Sequence, residues 1–265
     1  MMKNKKITVA SYNLKEGGVK YLLMKDGKHL PRVLDGEKMP PFDDIAYELI
    51  AEDIVNVGAE IVGFQEVAQY RGWTLYKDSV GIIRDTLEEL TGEKWYSAFA
   101  EGVTLDYSET PNAPVDKGYI GVALVSKFPI ISTSKYVMPC VEGKSPNCVL
   151  LEVLLDMNGK ETYFYVSHYD QGVIHKQMQF TYDKMKDKER YILAGDFNWQ
   201  RCEDFERIFP DTTQANNREN MLVTTHDGYR FDNLIFSQGI EANNFRAVNY
   251  GHSDHFILLA DMAVE

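Results

Sequence analysis

Residues 191–200 read YILAGDFNWQ, from Tyr191 to Gln200. The apolar run Tyr191-Ile192-Leu193-Ala194 has the composition of a buried strand. It breaks at Gly195 and is followed at once by Asp196, Phe197 and Asn198. Polar groups buried without partners are costly. A carboxylate and an amide two residues apart at the end of such a strand therefore belong to a turn that satisfies them or to a site that uses them.

The same grammar recurs outward along the chain. Ile7–Asn13 reads as a strand ending on Asn13, and Ala59–Phe64 as a short buried strand ahead of Glu66. Tyr163–Ser167 runs into His168 and Asp170, Asp232 lies inside the strand pattern Tyr229–Phe236, and Asp254 and His255 precede Phe256–Ala263. Further strands are expected at Trp95–Ala100, at YIGVALVSKFPI (119–130), at Val149–Leu155 and at Met221–Thr225. Asn158-Gly159 is a hairpin signal between two of these runs.

Helical stripes alternate with the strands. Asp43 or Asp44 can cap a helix with apolar positions Ala46, Ile50, Ile54 and Val57, stopped by Gly58. A second helix starts near Asp78 or Ser79 and stops at Gly92, and a third covers Val173–Met185. Hairpins mixed with strand-helix-strand units indicate a layered α/β or α+β domain with mixed sheets. The chain has 265 residues with no repeat or Pro/Ser-rich linker, which points to a single domain over 1–265.

Charge and cysteine content narrow the function classes. The net charge of −12 repels polyanions over the average surface. The one modest basic stretch is Lys15–Lys38, with six basic residues against four acidic, in a segment that reads as a long surface loop. No apolar run is long enough to span a bilayer and no secretory leader is recognisable, so a soluble cytoplasmic protein is expected. Cys140, Cys148 and Cys202 form no CxxC pair and cannot all pair with one another, which fits a reducing compartment and argues against a thiolate metal site.

Taken singly, each strand-end residue has a bland reading as a turn, a cap or a satisfied histidine. Together, Glu66, Asp196 and Asp254 with the amide oxygens of Asn13 and Asn198 make an oxygen-rich set suited to a hard divalent ion such as Mg2+. The histidines add proton transfer or a charged contact to phosphate. A helical His pair for zinc, a G-x-S-x-G elbow and a P-loop are all missing from the sequence.

The segments SYNL (11–14), IVGFQEV (61–67), GYIGVALVSKFPI (118–130), VSHYD (166–170), GDFNW (195–199), RFDNLIFS (230–237) and HSDHF (252–256) resemble, in order, the motifs of the endonuclease/exonuclease/phosphatase superfamily. Two departures stand out: Tyr169 where the family commonly has Leu, and Asn233 where Tyr or Arg is commoner. The resemblance implies a four-layer α/β sandwich of two packed mixed sheets flanked by helices. It implies hydrolysis of a phosphoester, assisted by Mg2+ or Mn2+. Asn13, Glu66 and Asp254 would be metal ligands. Asp196 would orient or deprotonate water, and Asn198 would hold the phosphate. His255 would contact phosphate or act in acid/base work with Asp232 fixing its ring, and His168 would serve the scissile phosphate or the leaving group. Tyr119 and Arg71 are candidate substrate contacts. The expected substrate is a phosphodiester, nucleic acid among the candidates, acted on by a monomer. The alternatives are a phosphomonoesterase of a sugar or inositol phosphate and an inactive binding module on the same fold.

Overall fold

The computed structural model describes residues 5–15, 47–70, 77–102, 118–141 and 148–264. Arg71, the possible caps Asp43 and Asp44, all of the basic segment after Lys15 and the loop 103–117 lie outside the described residues.

Among the described residues, twelve strands form two six-stranded sheets. The first contains β1 (Lys5–Asn13), β2 (Ile61–Gln69), β3 (Tyr96–Glu101), β4 (Tyr119–Ser126), β11 (Ala242–Val248) and β12 (Ile257–Val264), in the order β11-β12-β1-β2-β4-β3. The second contains β5 (Ile130–Val137), β6 (Val149–Asp156), β7 (Glu161–His168), β8 (Tyr191–Asp196), β9 (Thr212–Gln214) and β10 (Asp232–Ser237), in the order β5-β6-β7-β8-β10-β9. Each sheet has one parallel pair. β1 reaches β2 through a connection that includes helix α1 (Tyr47–Val57), and β7 reaches β8 through α3 (Ile174–Met185). The remaining helices are α2 (Ser79–Thr91) and α4 (Cys202–Ile208).

Three apolar clusters account for four layers. Val9, Ile61, Val166, Ala194, Leu234 and Leu258 belong to the core between the sheets. Ile50, Ile54, Ile83 and Leu87 of α1 and α2 pack on the outer face of the first sheet. Met178, Met185 and Phe205 of α3 and α4 cover the second. The sheets approach closely at Gly63, where an added Cβ would stand 2.9 Å from Ala194 Cβ. The two-residue alternation of a strand puts Asp196 and His168 on the same inner face as Ala194 and Val166. Polar groups thus appear where the inter-sheet apolar rows run out.

Local signals act as the sequence indicates in several places. Asp78 caps α2 by accepting from Gly81 N at 2.9 Å, and Gly92 closes it in the left-handed conformation at φ 67°. Asn158 and Gly159 both have positive φ in the β6–β7 hairpin. Other expectations need correction. Met221–Thr225 is not a strand. Met221 and Val223 are exposed, and Thr225 makes only an isolated bridge to His255. Cys140 and Cys148 are joined in a disulfide with Cα atoms 5.7 Å apart, so cysteine usage gives no support to a reducing compartment. Cys202 is a free, partly buried thiol. No helix among the described residues is long and apolar enough to cross a membrane.

Candidate active site

Strand register assembles the polar cluster. In the second sheet His168 pairs with Asp196, and Asp196 pairs with Asp232, so three adjacent strands present three functional groups side by side. In the first sheet β1 ends at Asn13. Across from it, β2 carries one extra residue relative to β4 between Phe64 and Val67. That bulge contains Glu66, whose φ of 49° is rare for a residue with a Cβ. Asn198, just past β8, has the same φ. Lys15 at φ 48° makes three non-glycine residues in the left-handed region at one site, backbone held for a purpose other than regular pairing.

Asp196 is the hub. It is almost fully buried and accepts from Asn13 Nδ2 at 2.9 Å and from Asn198 N at 2.9 Å. His168 Nε2 lies 3.4 Å from its carboxylate and His255 Nε2 lies 3.5 Å away. Burial would raise its carboxyl pKa, but the two histidines and the hydrogen bonds outweigh burial and hold it below the ordinary range. Asn13 Nδ2 also donates to Glu66 Oε1 at 3.1 Å, so one amide ties both carboxylates together. The Asn13 oxygen accepts from Lys15 N at 2.9 Å.

His255 is held from the opposite side. Its Nδ1 is 2.8 Å from Asp232 Oδ2. Burial would lower its pKa, yet Asp232 and Asp196 overcome this and push it up to about 10. Asp232 is itself raised, because burial outweighs the pull of His255. Asp232 thus orients the ring, whose Nε2 is aimed at Asp196. Asn198 Nδ2 sits 3.0 Å from His168 Nε2 and donates to Tyr169 O at 2.9 Å.

Asp254 joins through a cation. Lys15 Nζ lies 3.5 Å from Asp254 Oδ2 and 3.8 Å from Glu66 Oε2. An ammonium between two carboxylates shows that this edge of the cluster attracts positive charge. Donor atoms of Glu66, His168 and Asp196 lie within 4.8 Å of one another, as do those of Asp196, Asp232 and His255. The first trio, oxygen-rich and flanked by Lys15, fits a hard divalent ion. In the second, His255 Nδ1 is already paired with Asp232 Oδ2.

The structure thus brings Asn13, Glu66, His168, Asp196, Asn198, Asp232, Asp254 and His255 to one end of the sandwich. Tyr119 opens β4 opposite Gln69, at the end of β2 that carries Glu66, and is 38% exposed. Three contributors escaped the sequence reading. Lys15 links the acidic groups. Ser253 Oγ donates to Asn13 O at 2.6 Å, and His252 Nδ1 meets the buried Asp53 of α1 at 2.8 Å. The HSDH run supplied a signal for the last two, since four consecutive polar residues abut a buried strand.

Known proteins share this architecture. A structure of an endonuclease/exonuclease/phosphatase from Beutenbergia cavernae aligns at TM-score 0.73 and 15% identity, over 98% of this chain and 72% of that one. The human Nocturnin catalytic domain, solved with a bound sulfate anion, aligns at 0.66 and 17%, over 99% and 94%. The mannosyl-6-phosphatase Bt3783 of Bacteroides thetaiotaomicron aligns at 0.60 and 16%, over 97% and 100%. No curated protein matches the chain in sequence. The sequence profile of the Endonuclease/Exonuclease/phosphatase family matches residues 12–255, nearly the whole length, and the chain belongs to that family.

Proposed function

We propose that this chain, acting as one domain, is a divalent-metal-dependent phosphoester hydrolase that acts on a phosphodiester. The observation that carries this reading is the unbroken chain of contacts Glu66–Asn13–Asp196–His255–Asp232, which links both sheets at one edge. Glu66, with Asn13 and Asp254 beside it, would hold Mg2+ or Mn2+, and the ion would neutralise charge on the phosphoryl oxygens.

The chain's own groups divide the remaining work. Asp196, kept ionised, accepts the proton of the attacking water as its oxygen bonds to phosphorus. His255, kept protonated, donates to a non-bridging oxygen that gains charge. Asn198 fixes the phosphoryl group, and His168 supplies the proton that the leaving ester oxygen takes up as its bond to phosphorus breaks. Such preorganised donors stabilise a transition state more than a ground state.

Phosphomonoester hydrolysis is the second reading. It is favoured by the net charge of −12, which disfavours a long polyanionic substrate, and by the mannosyl-6-phosphatase of like fold. Initial rates on bis(p-nitrophenyl) phosphate and p-nitrophenyl phosphate, with Mg2+, Mn2+ or EDTA, separate the two. The diester is expected to turn over only with metal, and Asp196→Asn or His255→Ala is expected to reduce turnover by at least about 10²-fold. Hydrolysis of neither ester by the folded, metal-supplied chain would reject an enzymatic role.

A further inference from the structure

An open groove of about 460 Å³ runs from Asn198 along the surface of the second sheet's helical side. It is lined by Gln171, Ile174, Asn198, Trp199, Gln200, Arg201 and Phe231. We propose that this groove is the subsite for the group esterified to the scissile phosphate, and that this group carries a planar aromatic ring. The inference rests on the phosphoester reading above and names the substrate class of that same site.

Both ring walls are fixed in advance. Trp199 Nε1 donates to Asp204 Oδ2 at 3.0 Å, and His175 packs edge-on against the indole with ring centres 5.3 Å apart. Phe231 stacks on Tyr229 with centres 4.8 Å apart and an interplanar angle of 14°. Its carbonyl accepts from Phe197 N at 2.8 Å, which ties it to the strand end that carries Asp196. Aromatic faces held this way lose little freedom on stacking against a ligand.

The polar lining suits the edge of a flat ring. Gln171 Nε2 donates to Asn198 Oδ1 at 3.3 Å, so the groove shares a hydrogen bond with the reaction centre. Gln200 accepts from Arg230 N, and the mostly exposed Arg201 guanidinium can stack on planar groups. None of the lining residues is acidic. Vicinal sugar hydroxyls are commonly read by carboxylates, so the lining favours a ring over a hexose.

The test is calorimetric binding of non-hydrolysable phosphonates to the full chain with Mg2+. The probes are phenylphosphonate, a nucleoside 5′-phosphonate and a hexose 6-phosphonate. Base–aromatic stacking is strong enough that an aromatic probe is expected to bind about tenfold tighter than the hexose probe. Trp199→Leu is expected to erase that difference, and Trp199→Phe to retain most of it. Preference for the nucleoside alone assigns a nucleobase; preference for both aromatic probes assigns any aryl ring. If Trp199→Leu does not fold, Phe231→Leu is read the same way. Equal or tighter hexose binding, a preference that survives ring removal, or binding of no phosphonate overturns the proposal. Ring preference without turnover of any phosphoester removes the hydrolase reading and leaves the subsite. Turnover without ring preference removes the subsite alone.

Discussion

His255 Nδ1 lies 2.8 Å from Asp232 Oδ2, a contact that joins the segment leading into the first sheet to a strand of the second. Asp232 opens β10 in the second sheet, and His255 stands just before β12 in the first. The site is thus built across the sandwich interface, and its charge states depend on both sheets.

The His255 ring should remain doubly protonated in the metal-free chain at pH 8. Its folded pKa of about 10 exceeds the ordinary 6.5 because Asp232 and Asp196 outweigh burial. A raised histidine contributes stability that is complete below the unfolded pKa and is lost as pH rises through about 10. Imidazole NMR titration checks this. A midpoint near 6.5 would refute the ion pair, and Asp232→Asn should move the midpoint down.

Divalent metal should stabilise the fold. Binding at ~100 times the dissociation constant adds about 2.7 kcal/mol, readable as a rise in Tm with Mg2+. Glu66→Gln should remove most of that rise. Lys15→Met should be slightly less stable without metal, by about 0–1 kcal/mol, and should gain more from Mg2+, since the ammonium no longer competes. An unchanged Mg2+ response in Glu66→Gln would place the ion elsewhere.

His252→Ala should cost about 1–3 kcal/mol in chemical denaturation, because it strands the Asp53 carboxylate that α1 buries at 2% exposure. Asp53 is already raised by burial, with His252 opposing that rise. Asp53→Asn keeps an acceptor for the ring and should cost less. Equal losses from the two variants would show that the hydrogen bond is not what holds this loop.

Much of the site was legible because strand ends are written in two alphabets at once. Asn13, Glu66, His168, Asp196 and Asp254 each follow or precede an apolar run, and the register then places them together. What escaped were features without such contrast. β5 has an almost wholly exposed burial pattern, β11 is a partly exposed edge strand with a bulge, and α4 spans only seven residues. None offers a clear period to read. Met221–Thr225 misled in the opposite way, since Met221, Leu222 and Val223 are apolar yet find no neighbouring strand. The Asp53–His252 link depends on tertiary proximity that spacing does not encode.

Gly63→Val should cost about 1–3 kcal/mol. The added side chain would enter the narrowest gap between the sheets, where Ala194, Val166 and Phe164 already crowd the position. Urea denaturation measures the loss. A neutral result would mean that the sheets can separate at this point without disturbing Asp196.

The most direct test is an anomalous-difference map from crystals of the full chain grown with saturating Mn2+. A peak is expected in contact with the Glu66 carboxylate, within the cluster that includes Asp196. A well-ordered site with Mn2+ bound elsewhere, or with no peak at Glu66, would contradict it.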